Sequence, residues 1–175
     1  MVEILEQLRN SIREIPDFPK KGIIFKDITT LIDKGDLFGM AIDEMAAPYV
    51  GKGITKVVGV ESRGFIFASA IAYKLGAGVV LVRKPGKLPH EIHKETYDLE
   101  YGQDTLEVHV DALNQDDKVI LVDDLLATGG TVEATTKLIE HFGVAIEGIE
   151  FLIELTFLNG IKKLQGFNVR SLIQY

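Results

Sequence analysis

The chain has 175 residues, of which 46% are hydrophobic and 26% are charged, and this balance excludes disordered and fibrous classes and favours a single domain. Its net charge of -7 argues against a protein that mainly binds nucleic acid without sequence preference, since that work needs a strongly basic surface. The chain has no cysteine, which excludes disulfides, thiolate zinc sites and cysteine nucleophiles. No apolar run could span a bilayer and no secretory signal precedes the domain, so we expect a cytoplasmic protein.

The first 50 residues predict two helices. Apolar residues recur at spacings of three and four from Leu5 to Ile15, which indicates an amphipathic helix that Pro16 stops. After an irregular segment, the apolar spacing from Leu37 to Ala46 predicts a second helix that ends near Pro48.

Short β-branched runs then alternate with helical patterns, as in a parallel sheet covered on both faces. The predicted strands are Lys56 to Val60, Gly78 to Val82, Val119 to Val122 and Ile146 to Leu155, and the predicted helices are Phe65 to Leu75 and Thr131 to Phe142. We therefore expect an α/β fold whose sheet has at least four strands. The tail from Asn159 to Tyr175 predicts a short helix and a final strand.

An insertion of about residues 84–110 interrupts the alternation and does not have the pattern of a crossover helix. Its first half is rich in Lys, Pro and Gly, whereas Thr105 to Val110 alternates as a half-buried strand. The segments TYDL, YGQD and TLEVHV together predict a hairpin, and we expect the preceding loop to be mobile. His90 and His93 lie in this loop without carboxylates at metal-ligand positions, so we do not assign them a metal.

The segment VILVDDLLATGGT, from Val119 to Thr131, carries the strongest chemical signal. Asp123 and Asp124 directly follow an apolar strand, and the glycines of the turn let the backbone approach a ligand before a helix begins. Backbone N–H groups at the amino terminus of that helix can bind a phosphate, and the two carboxylates can accept hydrogen bonds from ribose hydroxyls or stabilise positive charge on the sugar. Acidic residues before glycines also commonly do no more than cap a helix.

This segment resembles the phosphoribosyl pyrophosphate signature of the type I phosphoribosyltransferases, in the form carried by members that act on adenine. The segments FPKKGIIFKDIT, ESRGFIF, VRKPGKLP and YDLEYG also resemble segments of that family, in the same order. The resemblance implies the family's fold, with a flexible loop and hairpin insertion and an amino-terminal hood over the base at about residues 1–35. It also implies a cis peptide bond between Glu61 and Ser62.

The resemblance assigns the following roles by residue. It implies catalytic roles for Asp123 and Asp124 as stabilisers of the sugar cation and for Glu100 at the purine N7 proton. It implies that phosphoribosyl pyrophosphate is bound by Ala127, Thr128, Gly129, Gly130, Thr131, Glu61, Ser62, Arg63, Arg83, Lys84, Lys87 and Tyr101. For adenine it implies stacking faces from Phe25 and Leu125 and backbone contacts from Ile24 and Lys26, although some members carry arginine where this chain has Lys26.

The expected reaction joins adenine to phosphoribosyl pyrophosphate and yields AMP and pyrophosphate. Mg²⁺ is the expected cofactor, held through substrate and water, and the resemblance suggests a homodimer with neither nucleic acid nor membrane as a partner. Two alternatives stay open: a transferase for xanthine or another oxopurine, and a purine-responsive regulator with the same fold. The regulator would need a DNA-binding module or a basic face, and the sequence indicates neither.

Overall fold

The computed structural model describes residues 2–98 and 102–175. The chain divides into two compact units, residues 1–44 and residues 45–175, and the expectation of a single domain with an amino-terminal hood stays a prediction. Across the described residues, no helix combines the length and apolar character that crossing a membrane requires.

The first unit combines helices with a small antiparallel ribbon. Its elements are α1 (Val2–Ser11), β1 (Arg13–Pro16), β2 (Ile24–Asp27), α2 (Thr29–Ile32) and most of α3 (Gly35–Ala46). In the ribbon, Arg13 lies opposite Asp27 and Pro16 lies opposite Ile24. The predicted second helix is thus confirmed as α3.

The first helix ends earlier than the apolar spacing predicted. It stops at Ser11, and Ile15 lies in β1 opposite Phe25 instead of on the helix. The Arg13 guanidinium donates to Asp27 Oδ2 at 2.5 Å, across the same ribbon. Pairing with β2 satisfies backbone groups of this segment, and local apolar spacing carries no information about a partner later in the chain.

The second unit is a parallel sheet with helices and a hairpin. Its elements are a 3₁₀ turn (Ala47–Tyr49), β3 (Lys56–Val60), α4 (Gly64–Leu75), β4 (Gly78–Val82), β5 (Ile92–Asp98), β6 (Gln103–His109), β7 (Val119–Leu126), α5 (Gly130–Glu140), β8 (Ile146–Glu154), 3₁₀ turns (Thr156–Leu158 and Gly160–Leu164) and β9 (Val169–Gln174). Among the described residues the central sheet has five strands in the order β4-β3-β7-β8-β9, each parallel to its neighbours. The predicted α/β fold class is confirmed.

The two faces of the sheet are covered by different elements. Val58 and Val60 of β3 are buried in an apolar cluster with Leu106 of the hairpin and Leu138 of α5. Gly59, between them, faces α4, where an added Cβ would lie 2.7 Å from the Cβ of Ala68. Glycine at this position therefore lets α4 lie close against the sheet.

Strand β7 is longer than predicted. We expected it to end at Val122, but it continues to Leu126, and Leu125 and Leu126 pair with Ile153 and Glu154 of β8. The acidic pair consequently lies within a strand and not in a loop. The hairpin is confirmed as β5 paired with β6. Its predicted turn, YGQD at residues 101–104, is wrong in part, because Gln103 and Asp104 already pair in β6, and Tyr101 lies outside the described residues.

Candidate active site

The segments that carried the chemical signal lie at one edge of the central sheet. Residues 61–64 follow β3, Arg83 follows β4, and residues 127–131 follow β7. These three strands are parallel neighbours in the order β4-β3-β7, so their carboxyl ends lie at the same edge. Ligands of open α/β sheets bind at this edge, and the fold brings the predicted phosphoribosyl pyrophosphate segments together there.

The acidic pair is buried and tightly enclosed. Asp123 and Asp124 are 9% and 5% exposed, and Asp123 Oδ1 accepts a hydrogen bond of 2.9 Å from the backbone N–H of Asp124. Gly64, the first residue of α4, lies against this carboxylate, because an added Cβ would come within 2.7 Å of Asp123 Oδ1. The absence of a side chain at Gly64 thus makes room for the carboxylate.

Both carboxyl groups hold protons more strongly than exposed carboxyl groups do. Burial, and then the neighbouring charge of Asp124, raise the pKa of Asp123 well above its ordinary value of 3.8. Burial also raises the pKa of Asp124, against the opposing effect of the Arg63 charge. A positive charge placed on this pair would favour its ionised form, so the arrangement suits stabilisation of a sugar cation.

Arg63 covers the second carboxylate. Its Nε lies 3.0 Å from Asp124 Oδ2 as an ion pair. This contact lacks the geometry of a hydrogen bond, and Oδ2 has no hydrogen-bond partner among the described residues. An orphaned buried oxygen can accept a hydrogen bond from a ligand hydroxyl if Arg63 turns aside.

The turn between β7 and α5 encloses a cavity of about 80 Å³. Its lining includes Asp123, Leu125 and every residue from Leu126 to Val132. Gly129 has φ +80°, and an added Cβ would lie 2.6 Å from the carbonyl oxygen of Gly160. Only glycine satisfies both constraints, and the resulting turn presents backbone N–H groups at the start of α5 as a phosphate site requires.

The segment after β3 has the backbone that the resemblance implied, since the peptide bond between Glu61 and Ser62 is cis. The Glu61 side chain contacts three basic residues that were predicted to bind phosphoribosyl pyrophosphate. Arg83 Nε donates to it at 3.3 Å, the Lys84 backbone N–H donates at 3.0 Å, and Lys87 Nζ is ion-paired with it. Burial opposes ionisation of Glu61, but the hydrogen bonds from Lys87 and Lys84 outweigh it and hold its pKa below the ordinary value. Glu61 is therefore placed to position these cations.

The hairpin supplies contacts that the sequence analysis did not assign. Lys84 Nζ is ion-paired with Asp104 of β6, and the Gly86 N–H donates to Glu107 Oε2 at 3.0 Å. Tyr97 of β5 places its hydroxyl 3.2 Å from Thr131 Oγ1. Asp104, Glu107 and Tyr97 were missed because the predicted hairpin accounted for their segments, in which Asp104 was assigned to the turn. The available signal was no more than polar residues within that hairpin.

The predicted adenine residues divide between the two units. In the first unit Ile24 is 53% exposed, and the ring of Phe25 meets Phe18 edge-on at a centroid distance of 5.2 Å. Lys26 is buried and its Nζ is paired with Glu14. Leu125, in the second unit, is half-buried and lines the cavity after β7.

Two predicted residues, Glu100 and Tyr101, lie outside the described residues. Of the two histidines expected in the loop, His93 lies in β5 and stacks on His141 at a centroid distance of 4.8 Å, whereas His90 precedes β5 and meets His109 edge-on at 6.0 Å. In the described part of the chain, no three His, Cys, Asp or Glu side chains come together as a metal-binding group.

Comparison with known proteins agrees with this geometry. Residues 29–155 match the family model described as phosphoribosyl transferase domain. An adenine phosphoribosyltransferase of Geotalea daltonii is 56% identical over 98% of this chain and 100% of its own length. The chain belongs to the adenine phosphoribosyltransferase family. A family member from Geobacter metallireducens is also 56% identical over 98% of this chain and all of its own length.

Solved structures of the adenine phosphoribosyltransferase family share the fold. The enzyme of Thermoanaerobacter pseudethanolicus superimposes with a TM-score of 0.94 at 50% identity, covering 98% of this chain and 99% of its own. The enzyme of Saccharomyces cerevisiae, solved with D-2,5-dideoxy-2,5-imino-altritol 1,6-bisphosphate and adenine, has a TM-score of 0.91 at 38% identity, covering 98% and 99%.

Proposed function

We propose that this chain transfers the 5-phosphoribosyl group from phosphoribosyl pyrophosphate to adenine and releases AMP and pyrophosphate. The observation that carries the proposal is the cavity at the end of β7, which is lined by the buried Asp123 and by the glycine turn. Membership of the adenine phosphoribosyltransferase family, at 56% identity over nearly the whole chain, supports adenine as the acceptor.

In this mechanism, the 5-phosphate occupies the turn from Ala127 to Thr131, where backbone N–H groups and hydroxyls bind it. Asp123 and Asp124 then lie beside the ribose. As the bond from C1 to pyrophosphate breaks, positive charge develops on the sugar, and the ionised pair stabilises it in a site with little water. Anchoring the 5-phosphate holds C1 in line for attack by adenine N9.

The leaving pyrophosphate meets cations from two segments. Glu61 is ion-paired with Arg83 and Lys87, and Asp104 is ion-paired with Lys84. These ion pairs keep the three positive charges near the carboxyl ends of β3 and β4. Ser62 and Arg63 precede α4 and complete the predicted pyrophosphate segment. Arg63 must leave Asp124 before that carboxylate can contact the ribose, and the substrate's negative charge gives it an alternative partner.

Mg²⁺ is the proposed cofactor. Two neighbouring carboxylates, one with an oxygen lacking a hydrogen-bond partner among the described residues, suit an ion that keeps several waters and takes most of its ligands from substrate. It would be held through substrate and water, with Asp123 and Asp124 near it but not as direct ligands, and its charge would assist departure of the pyrophosphate. A homodimer, which the resemblance suggests, and a cytoplasmic location are further proposals.

The first unit would bind the base. Among the described residues β2 pairs only with β1, so every second residue of β2 directs its backbone N–H and C=O away from the ribbon. Those groups can bind the edge of adenine, and Phe25 can supply an apolar face in this unit. In the second unit, Leu125 is the predicted apolar contact and lines the cavity after β7. Because the Lys26 side chain is paired with Glu14, the contact proposed for Lys26 is through its backbone.

Offering adenine, guanine, hypoxanthine and xanthine separately with phosphoribosyl pyrophosphate and Mg²⁺ tests the acceptor. Of the four bases, only adenine should give nucleotide rapidly. A reaction with xanthine but not with adenine would favour the oxopurine alternative. The double variant Asp124→Asn, Glu100→Gln should lower turnover by orders of magnitude, and near wild-type rates would refute the assigned roles.

A further inference from the structure

Tyr97 of the hairpin contacts the phosphate turn, residues 127–131, where the proposed function places the 5-phosphate. Its hydroxyl lies 3.2 Å from Thr131 Oγ1 and 3.3 Å from Asp104 Oδ2, and its ring edge would lie 3.4 Å from a Cβ added to Gly130. Asp104 in turn is ion-paired with Lys84. A continuous chain of polar contacts therefore runs from Thr131 through Tyr97 and Asp104 to Lys84.

In this series of contacts, Tyr97 has one hydroxyl proton but two neighbouring acceptors. The hydrogen bond from Lys84 and the backbone N–H of Thr105 hold the pKa of Asp104 below its ordinary value despite the opposing effect of burial, so its carboxylate only accepts. The single hydroxyl proton of Tyr97 can go to Asp104 or to Thr131, but not to both. When it goes to Asp104, the Thr131 hydroxyl must donate to Tyr97.

A phosphate in the turn competes for the Thr131 proton. Phosphate oxygens are strong acceptors, and once Thr131 donates to one of them, its own oxygen can accept the Tyr97 proton. Asp104 then loses a donor, and its charge is left with Lys84 as the main partner. A carboxylate with fewer donors attracts its remaining cation more strongly.

We propose that Tyr97 and Asp104 are positioning residues that couple the 5-phosphate subsite at Thr131 to the pyrophosphate subsite at Lys84, an inference that rests on the proposed function. The coupling is antagonistic: phosphate at Thr131 tightens the pair between Asp104 and Lys84 and so weakens the grip of Lys84 on pyrophosphate. The 5-phosphate occupies the turn both before and after transfer, so the weaker grip of Lys84 applies to the pyrophosphate group of the bound substrate and to the departing pyrophosphate alike.

Binding without turnover tests this coupling. Ribose 5-phosphate and pyrophosphate with Mg²⁺, in the absence of any base, occupy the two subsites but do not react. Titration calorimetry should give a Kd for pyrophosphate that rises at least about fivefold when ribose 5-phosphate is saturating. In Tyr97→Phe, which keeps the ring, this rise should shrink several-fold, because the shared proton is gone.

Two further variants sharpen the result. In Asp104→Asn, pyrophosphate should bind more tightly both with and without ribose 5-phosphate, since Lys84 has lost its competing anion. Tyr73→Phe changes a tyrosine that is 90% exposed on α4 and should match the wild type, as the control. Equal coupling in wild type and Tyr97→Phe, or no rise in the wild type, would overturn the inference. A wild type that makes no AMP would instead refute the proposed function.

Discussion

At the scale of single residues, the site depends on small residues as much as on charged ones. Asp123 reaches its position because Gly64 has no side chain, and the two residues come from separate segments, the start of α4 and strand β7. The carboxylate is also held by the Asp124 N–H. Its orientation is therefore set by backbone atoms on two sides.

Gly64→Ala should disable the acidic pair while leaving the fold intact. The new Cβ would lie 2.7 Å from Asp123 Oδ1, so the carboxylate must shift, and displacements of about 1 Å at a reacting group can lower rates by about 10²-fold. Steady-state AMP formation should show kcat reduced at least about tenfold. As a control, Gly39→Ala in α3 meets nothing within 4 Å and should leave kcat unchanged. Equal kcat in both variants would contradict the role of Gly64.

At residue scale, sequence reasoning could identify candidate site residues where they are contiguous in the chain. The acidic pair and the glycine turn occupy neighbouring positions, so their joint presence was visible from Val119 to Thr131. Asp104 contacts Lys84 and Tyr97 contacts Thr131, and these contacts join separate strands and loops. Nothing in a linear pattern reports such pairings.

At the scale of elements, the phosphate turn is shaped by two constraints on one glycine. Gly129 has φ +80° and precedes α5, and it also packs against the backbone of Gly160 in the 3₁₀ turn after β8. The first constraint is local, and the second depends on a later segment of the chain. The two effects can be separated by comparison with a glycine that has a positive φ but no close backbone contact.

Gly129→Ala and Gly143→Ala form that matched pair. Gly143 has φ +68°, but an added Cβ there meets nothing within 4 Å, so alanine should cost only about 1 kcal/mol of unfolding free energy from backbone strain. Gly129→Ala adds a clash with Gly160 and should cost about 1–3 kcal/mol more. Calorimetry should show ribose 5-phosphate binding weakened at least tenfold in Gly129→Ala alone. Similar losses in both variants would mean that the close approach is unimportant.

Element bounds were predictable where one pattern dominates. Lys56–Val60 and Gly78–Val82 have the predicted bounds because uninterrupted β-branched runs lie between turn residues. β7 was predicted too short, because its last residues include two carboxylates, which are uncommon in strands. Pairing with β8 overrides that preference, as pairing with β2 overrides the helical spacing at Ile15.

At the scale of the whole molecule, one buried charge influences stability without any part in the proposed reaction. Glu150 lies in β8 with its side chain fully buried, near Arg170 of β9 and the hydroxyl of Tyr49, which donates to it at 3.3 Å. Burial raises the pKa of Glu150 from its ordinary value of 4.5 to about 7, although Arg170 opposes the shift.

Stability should therefore fall as the pH rises through this window. Between pH 4.5 and about pH 7 the folded protein binds the Glu150 proton more tightly than the unfolded chain does, so raising the pH favours unfolding. Glu150→Gln replaces the titrating carboxyl group with a neutral amide. As the pH rises from 4 to 8, the unfolding free energy of this variant should increase by about 2–3 kcal/mol relative to that of the wild type. Urea unfolding across that range measures the difference.

Glu147→Gln is the control for that measurement. Glu147 is exposed on the same strand, so its variant tests for an effect of removing any carboxylate from β8. A stability difference between Glu150→Gln and wild type that stays constant with pH would contradict the raised pKa. If the stability difference from wild type changed equally with pH in both variants, burial of Glu150 would not be the cause of the pH dependence.

The sequence by itself determined the fold class, the order of most elements and the acidic pair followed by a glycine turn, because these follow from local periodicity and from contiguous motifs. Only the tertiary structure decided which residues surround that chemistry: Gly64 against Asp123, Glu61 among the cations, and Tyr97 between Thr131 and Asp104. The physical reason is that packing and hydrogen bonding join atoms by distance in space. Chain order constrains such distances only within one element or turn.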